Sequence, residues 1–186
     1  LSAQRSLRTL AGFAVAFSPM KSLNEHVDAP DKSDAMQRLA ALLEHEVLAD
    51  IPLARAMALS VGDYTSDTLT LLAPLAPNVN DKGCAFGGSL SSLMTLAGWG
   101  LIKLAVDARG LDYDIYVQDS TIRYLAPVWQ DFGAVARLDD GEAFDEFFAA
   151  LAARGKGRLR VRCRVPLPDG SDAATLDARF VALTKR

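Results

Sequence analysis

A polar loop, a glycine pair and a long apolar run follow one another in Pro77-Asn78-Val79-Asn80-Asp81-Lys82-Gly83-Cys84-Ala85-Phe86-Gly87-Gly88-Ser89-Leu90. Where such a run is helical, its first backbone N–H groups have no partner within the helix, and the positive end of the helix dipole lies among them. Glycines at that point remove side-chain bulk, so a carbonyl, carboxylate or phosphate can approach the amides closely. The same pair would also serve as a plain tight turn. No GK[ST] or GxGxxG pattern accompanies it, which excludes a P-loop and a dinucleotide fingerprint. Cys84 sits beside this helix start, where a thiolate would be favoured. The segment holds no histidine to activate it, and a buried small side chain is its simpler role.

A second pattern is Lys156, Arg158, Arg160, Arg162 and Arg164 alternating with Gly157, Leu159, Val161, Cys163 and Val165. One face of that strand is cationic and the other packs inward. The row reads first as a solvated outer face balanced by Asp139, Asp140, Glu142, Asp145 and Glu146, and second as a surface that attracts phosphates. Nucleic acid fits less well: no aromatics interleave with the cations, and 20 Lys plus Arg stand against 23 Asp plus Glu, a net charge of −3.

Other chemistries are excluded by scarcity. Cys84 and Cys163 are the only cysteines and His26 and His45 the only histidines, so there is no disulfide framework, CxxC or HxxxH pair, and no Ser-His-Asp arrangement is expected. A reducing, cytoplasmic setting without metal or cofactor follows as the expectation.

The elements that must position these residues form one domain's worth of chain, 186 residues of which 50% are hydrophobic. Arg5 and Arg8 before the apolar run Leu10 to Phe17 resemble the start of a secretory signal, but the run is short and no strong cleavage signal follows, and residues 1–35 are expected to be an arm and linker. Met36, Leu39, Ala40, Leu43 and Val47 predict an amphipathic helix ending before Pro52. Ala56 to Val61 and Thr68 to Ala73 predict a hairpin. The run from Leu90 to Val106 is apolar around nearly its whole circumference, which predicts a buried core helix. Ser91, Ser92, Lys103 and its glycines argue against a membrane span. Four strand-like runs follow, Tyr113 to Tyr124, Phe132 to Leu138, Lys156 to Val165 and Leu176 to Leu183, with an acidic helical insert around Gly141 to Ala153. Their connections are too short for repeated crossovers, so the strands are expected to pair antiparallel in an α+β fold.

The segments Ala73 to Asn80, Phe86-Gly87-Gly88-Ser89-Leu90, Leu96-Ala97-Gly98-Trp99-Gly100 and Gln118 to Val128 resemble, in this order, the hotdog-fold putative thioesterase family, a domain found alone or C-terminal to some bacterial acetyltransferases. The resemblance covers about residues 36–185 and assigns 36–186 to a hotdog domain, a curved antiparallel sheet wrapped around a long central helix. It implies a homodimer or dimer of dimers acting on an acyl-CoA or acyl-carrier thioester at the subunit interface. The Gly87 amide, with Gly88, would polarise the thioester carbonyl, and Asn80 would place substrate or water. Phosphates of CoA or of a pantetheine arm would then suit the arginine row.

The chain departs from relatives at two places. Phe86 stands where many carry His, and Thr95 where many carry Asp or Glu; no carboxylate lies between Asp81 and Asp107. Those departures argue against a hotdog dehydratase and keep a noncatalytic acyl-thioester-binding dimer as the alternative. The best replacement base is Asp119, which plain alternation puts on the helix-facing side with Ile115 and Val117 unless a bulge intervenes, or which pairs with a cation such as Arg123. Phe86, Ser92 and Thr95 would line the substrate site.

Overall fold

The computed structural model describes residues 32–185; the targeting-like run and most of the predicted arm lie outside them. Helix α1 (Lys32–Asp50) is the helix expected to end before Pro52, and it buries Leu43 and Val47. Its Glu44 carboxylate accepts the Val61 N–H at 2.6 Å, which satisfies a backbone donor on a strand that, among the described residues, has no neighbouring strand on that side.

The expected hairpin is present, but its first strand starts later. Pro52, well suited to a helix's first turn, opens the short helix α2 (Pro52–Ala56), and the chain then reverses through Ala58 at φ 52°. Met57 and Leu59 are buried as their apolar character demands, yet on this bend; strand β1 is Ser60–Tyr64, paired with β2 (Thr68–Ala73).

Helix α3 (Gly87–Asp107) is the predicted core helix. It is long and apolar enough to cross a membrane by composition, but 67% of its apolar window is buried inside the protein. Around it runs one antiparallel six-stranded sheet in the order β1-β2-β4-β5-β6-β3, with β3 Tyr113–Tyr124, β4 Phe132–Leu138, β5 Lys156–Pro166 and β6 Asp172–Thr184; β2 to β6 all contact α3. The insert between β4 and β5 is helix α4 (Phe144–Arg154), ended by Gly155 at φ 61°.

Two glycines in α3 weaken an isolated helix by about 1 kcal/mol each relative to Ala, and close packing explains both. A Cβ on Gly98 would lie 2.9 Å from the Phe180 ring and 3.3 Å from Cys163 Sγ, and one on Gly100 would lie 2.8 Å from Leu69. Burial pushes the Cys163 thiol up to about 12, so it is a packing group.

The arginine row of β5 is exposed or half-buried while Leu159, Val161, Cys163 and Val165 are buried, as alternation predicts. Its counter-ions differ in part from expectation. Arg162 meets Asp139 at 2.8 Å and Asp177 at 3.0 Å, and Arg164 meets Asp172 at 3.2 Å, whereas Asp145 turns to Arg109.

Strand β3 carries the feature that matters most for the site. Val117 pairs with Phe180, but the next partner, Arg179, falls opposite Asp119, so Gln118 is an extra residue in a β-bulge. Ile115 and Val117 share the inner face before the bulge, and Ser120, Ile122 and Tyr124, opposite Ala178, Leu176 and Ala174, share it afterwards.

Candidate active site

Helix α3 starts without a cap. Its N-cap residue is Phe86 (φ −68°, ψ 132°), whose side chain can accept no hydrogen bond, and its first turn holds no acidic residue. Ser, Thr, Asp or Asn at that position would satisfy a first-turn N–H and stabilise the helix by about 1 kcal/mol. Helix α4 also lacks a side-chain cap, but Asp145 and Glu146 in its first turn answer its dipole. At α3, among the described residues, no side chain caps the Gly87 and Gly88 amides, which lie at the positive end of a buried helix.

Three hydrogen bonds hold that end in place. Phe86 N donates to Asn78 O at 2.7 Å, Ala85 N to Val128 O at 2.8 Å, and the Tyr124 hydroxyl to Gly87 O at 3.1 Å. Asn78, 2% exposed, also donates through Nδ2 to the carbonyls of Met57 at 2.9 Å and Pro74 at 2.7 Å. It therefore ties the end of α2 to the approach of α3. Asn78→Ala leaves both carbonyls short of a donor and is expected to cost about 2–4 kcal/mol, read as a lower urea midpoint with unchanged slope.

Asn80, the residue matched to substrate placement, is engaged in its own loop. Its Oδ1 accepts Lys82 N at 2.8 Å and Cys84 N at 3.3 Å, and its Nδ2 lies 3.2 Å from Cys84 Sγ. Its backbone N–H donates to Cys84 O at 2.8 Å. Cys84 is buried beneath this turn.

Phe86 is 56% exposed and folds over Gly88, where an added Cβ would lie 2.1 Å from its ring. Ser92 and Thr95, one and two turns beyond Gly88, are half-buried with Leu96 and Trp99 on the stripe of α3 that the sheet does not fully cover. Ser91 instead bonds back to Gly88 O at 2.8 Å. Val79, Tyr124, Leu125 and Trp129 are all exposed near this helix end, and Trp129 reaches Gly83.

Asp119 does not join this group. The bulge at Gln118 overturns the plain alternation: Asp119 lies opposite Arg179 on the outer face, its side chain 55% exposed and 3.2 Å from the Arg179 guanidinium. Its partner is thus a cation, though Arg179 rather than Arg123. The structure brings together Gly87, Gly88, Phe86, Ser92 and Thr95, with Asn80 in the adjoining loop. Tyr124 and Asn78 were missed as individuals. A bulge hides the first from strand counting, and the second lies two positions from the asparagine that family spacing selects.

Among the described residues no group of His, Cys, Asp and Glu is placed to hold a metal ion. Concavities of the single copy lie away from this helix end, among them one of about 950 Å³ between α1 and the β1–β2 hairpin, one of about 520 Å³ between α4 and the start of β5 and one of about 450 Å³ beside Trp99 and Tyr113.

Comparison with known proteins gives this geometry a context. Residues 40–184 match the family model described as "Putative thioesterase (yiiD_Cterm)". A crystal structure of the putative thioesterase from Shewanella oneidensis is 31% identical, with a TM-score of 0.70 over 80% of this chain and 99% of that one. A protein of unknown function from Chlorobaculum tepidum TLS is 26% identical, with a TM-score of 0.76 over 81% of this chain and 97% of that one. The E. coli PaaI protein from the phenylacetic acid degradation operon, 14% identical with a TM-score of 0.56 over 78% of this chain and 94% of that one, shares the hotdog fold alone.

Proposed function

The chain belongs to the thioesterase family matched over residues 40–184, and from that premise we propose that it hydrolyses an acyl-CoA or acyl-carrier thioester at the N-terminus of α3. The observation that carries the reading is the uncapped helix start: Phe86 leaves the Gly87 and Gly88 amides open where the dipole is positive. A thioester carbonyl oxygen held by those amides gains negative charge as water adds to the carbon. The donors then stabilise the tetrahedral oxyanion, which collapses to free acid as the C–S bond breaks and the leaving thiolate takes up the proton given up by the added water. Ser92 and Thr95 orient the acyl group and water by hydrogen bonds, Asn80 frames the loop that faces them, and Phe86 forms an apolar wall.

The site is completed by a second copy, giving a homodimer that can pair further. Two features support this. Among the described residues strand β3 has a neighbour on one side only and exposes Tyr116 and Val117, and the helix end is ringed by exposed Phe86, Tyr124, Leu125 and Trp129. Two buried free cysteines suit a cytoplasmic, reducing setting.

Asp119 has no part in water activation on this reading. Asp119→Asn is expected to change kcat by less than about threefold, the scale of a lost surface ion pair; a much larger loss would return the residue to the mechanism. Its outward direction, with no carboxylate between Asp81 and Asp107, favours the noncatalytic binding dimer as the second reading. Free-thiol release measured on a panel of acyl-CoA and acyl-carrier thioesters separates the two: hydrolysis supports the enzyme, and saturable binding without thiol supports the binding dimer.

A further inference from the structure

Resting on the oxyanion role of the Gly87 and Gly88 amides, we propose that Tyr124 is a positioning residue that fixes and polarises the Gly87–Gly88 peptide. The Tyr124 hydroxyl donates to Gly87 O at 3.1 Å, and its ring lies 3.4 Å from where a Gly87 Cβ would stand. Gly87 C=O and Gly88 N–H are opposite ends of one planar peptide unit, so a donor on the oxygen orients the N–H. It also draws electron density toward the oxygen and strengthens the N–H as a donor, as in any chain of hydrogen bonds. A glycine pair needs such a restraint, because neither residue carries a Cβ to limit rotation of the peptide between them.

The bulge in β3 is what supplies the tyrosine. Were Gln118 paired in the ladder instead of bulging from it, the inner face that holds Ile115 and Val117 would continue through Asp119 and Arg123, and Tyr124 would point outward. With the bulge, Asp119 turns to Arg179 and Tyr124 arrives opposite Ala174 on the helix side. Leaving that one residue out of the ladder therefore puts the Tyr124 phenol, rather than the Arg123 guanidinium, opposite Ala174 at the helix start and turns the Asp119 carboxylate outward, the re-aiming of side chains that bulges beside sites perform. Gln118 is held in turn by Arg158, whose Nε donates to its Oε1 at 3.0 Å.

Tyr124→Phe keeps the ring on Gly87 and removes only the hydroxyl. It is expected to lower kcat about three- to tenfold with KM within about twofold, the effect of one hydrogen bond felt more in the transition state than in the ground state. A second readout is the infrared carbonyl band of a bound acyl-CoA ketone analogue, ¹³C-labelled at C=O, in which CH2 replaces the thioester sulfur. Wild type should move the band to lower wavenumber on binding, and Tyr124→Phe should lose a clear part of that shift. No shift in wild type would remove the oxyanion role of the amides itself. A full shift in both proteins with equal kcat would overturn the role of Tyr124 alone, as would a lowered melting temperature with kcat unchanged.

Discussion

Gly87→Pro is expected to fold normally and to lose about 10²–10³ in kcat, the effect of deleting one oxyanion donor. Gly87 is the first residue of α3, and Phe86 before it has the extended conformation that a following proline requires. Proline is favoured at the first helical position because its missing N–H has no partner within the helix. The substitution removes the amide hydrogen and little else. Gly87→Ala is the control: it keeps the N–H, and its Cβ would meet the Tyr124 ring at 3.4 Å, an ordinary contact. It is expected to stay within a few-fold of wild type. Melting temperature and thiol release on the two variants distinguish loss of the donor from loss of the helix. Equal activity in both would remove the Gly87 amide from the reaction.

The second large effect is expected at the open edge of the sheet. Val117 lies opposite Phe180 just before the bulge and is 44% exposed in the single copy. In one copy a lysine there can extend its ammonium into water, so Val117→Lys should fold. At a β3 to β3 interface the same charge would be buried without a partner, a cost of about 3–5 kcal/mol, or about 10²–10⁴ in the dimer dissociation constant. Sedimentation at micromolar concentration should show wild type as a dimer or tetramer and the variant as a folded monomer. Activity should fall with the dimer fraction, since the wall of the site is then missing. A variant that remains dimeric, or an active wild-type monomer, would show that the edge strand is not the contact.

The parts of the fold legible in the sequence were those governed by periodicity. Alternation in Lys156 to Val165 and the all-round apolar character of Leu90 to Val106 each admit one arrangement, and the structure has it. What escaped were interruptions of a period. Ala56 to Val61 alternates like a strand, yet Pro52 starts a helical turn and Ala58 takes a positive φ, so β1 begins at Ser60. Tyr113 to Tyr124 is a strand throughout, but nothing in its residue types marks Gln118 as an extra position. That position decides whether Asp119 or Tyr124 faces the helix. The helix start at the glycine pair was legible because it needs only the apolar run that follows to be helical. The buried Asn78 was not, because its partners, the carbonyls of Met57 and Pro74, exist as acceptors only once α2 has folded against the loop.

On the proposed reading, the start of α3 holds a thioester carbonyl. The most direct measurement of this is a crystal structure with a nonhydrolysable acyl-CoA ketone analogue bound. The predicted result is a carbonyl oxygen about 2.7–3.1 Å from the Gly87 or Gly88 nitrogen, the range of an oxyanion donor, with the acyl group lying between two copies. A carbonyl bound elsewhere, with the two amides turned to water, would contradict it.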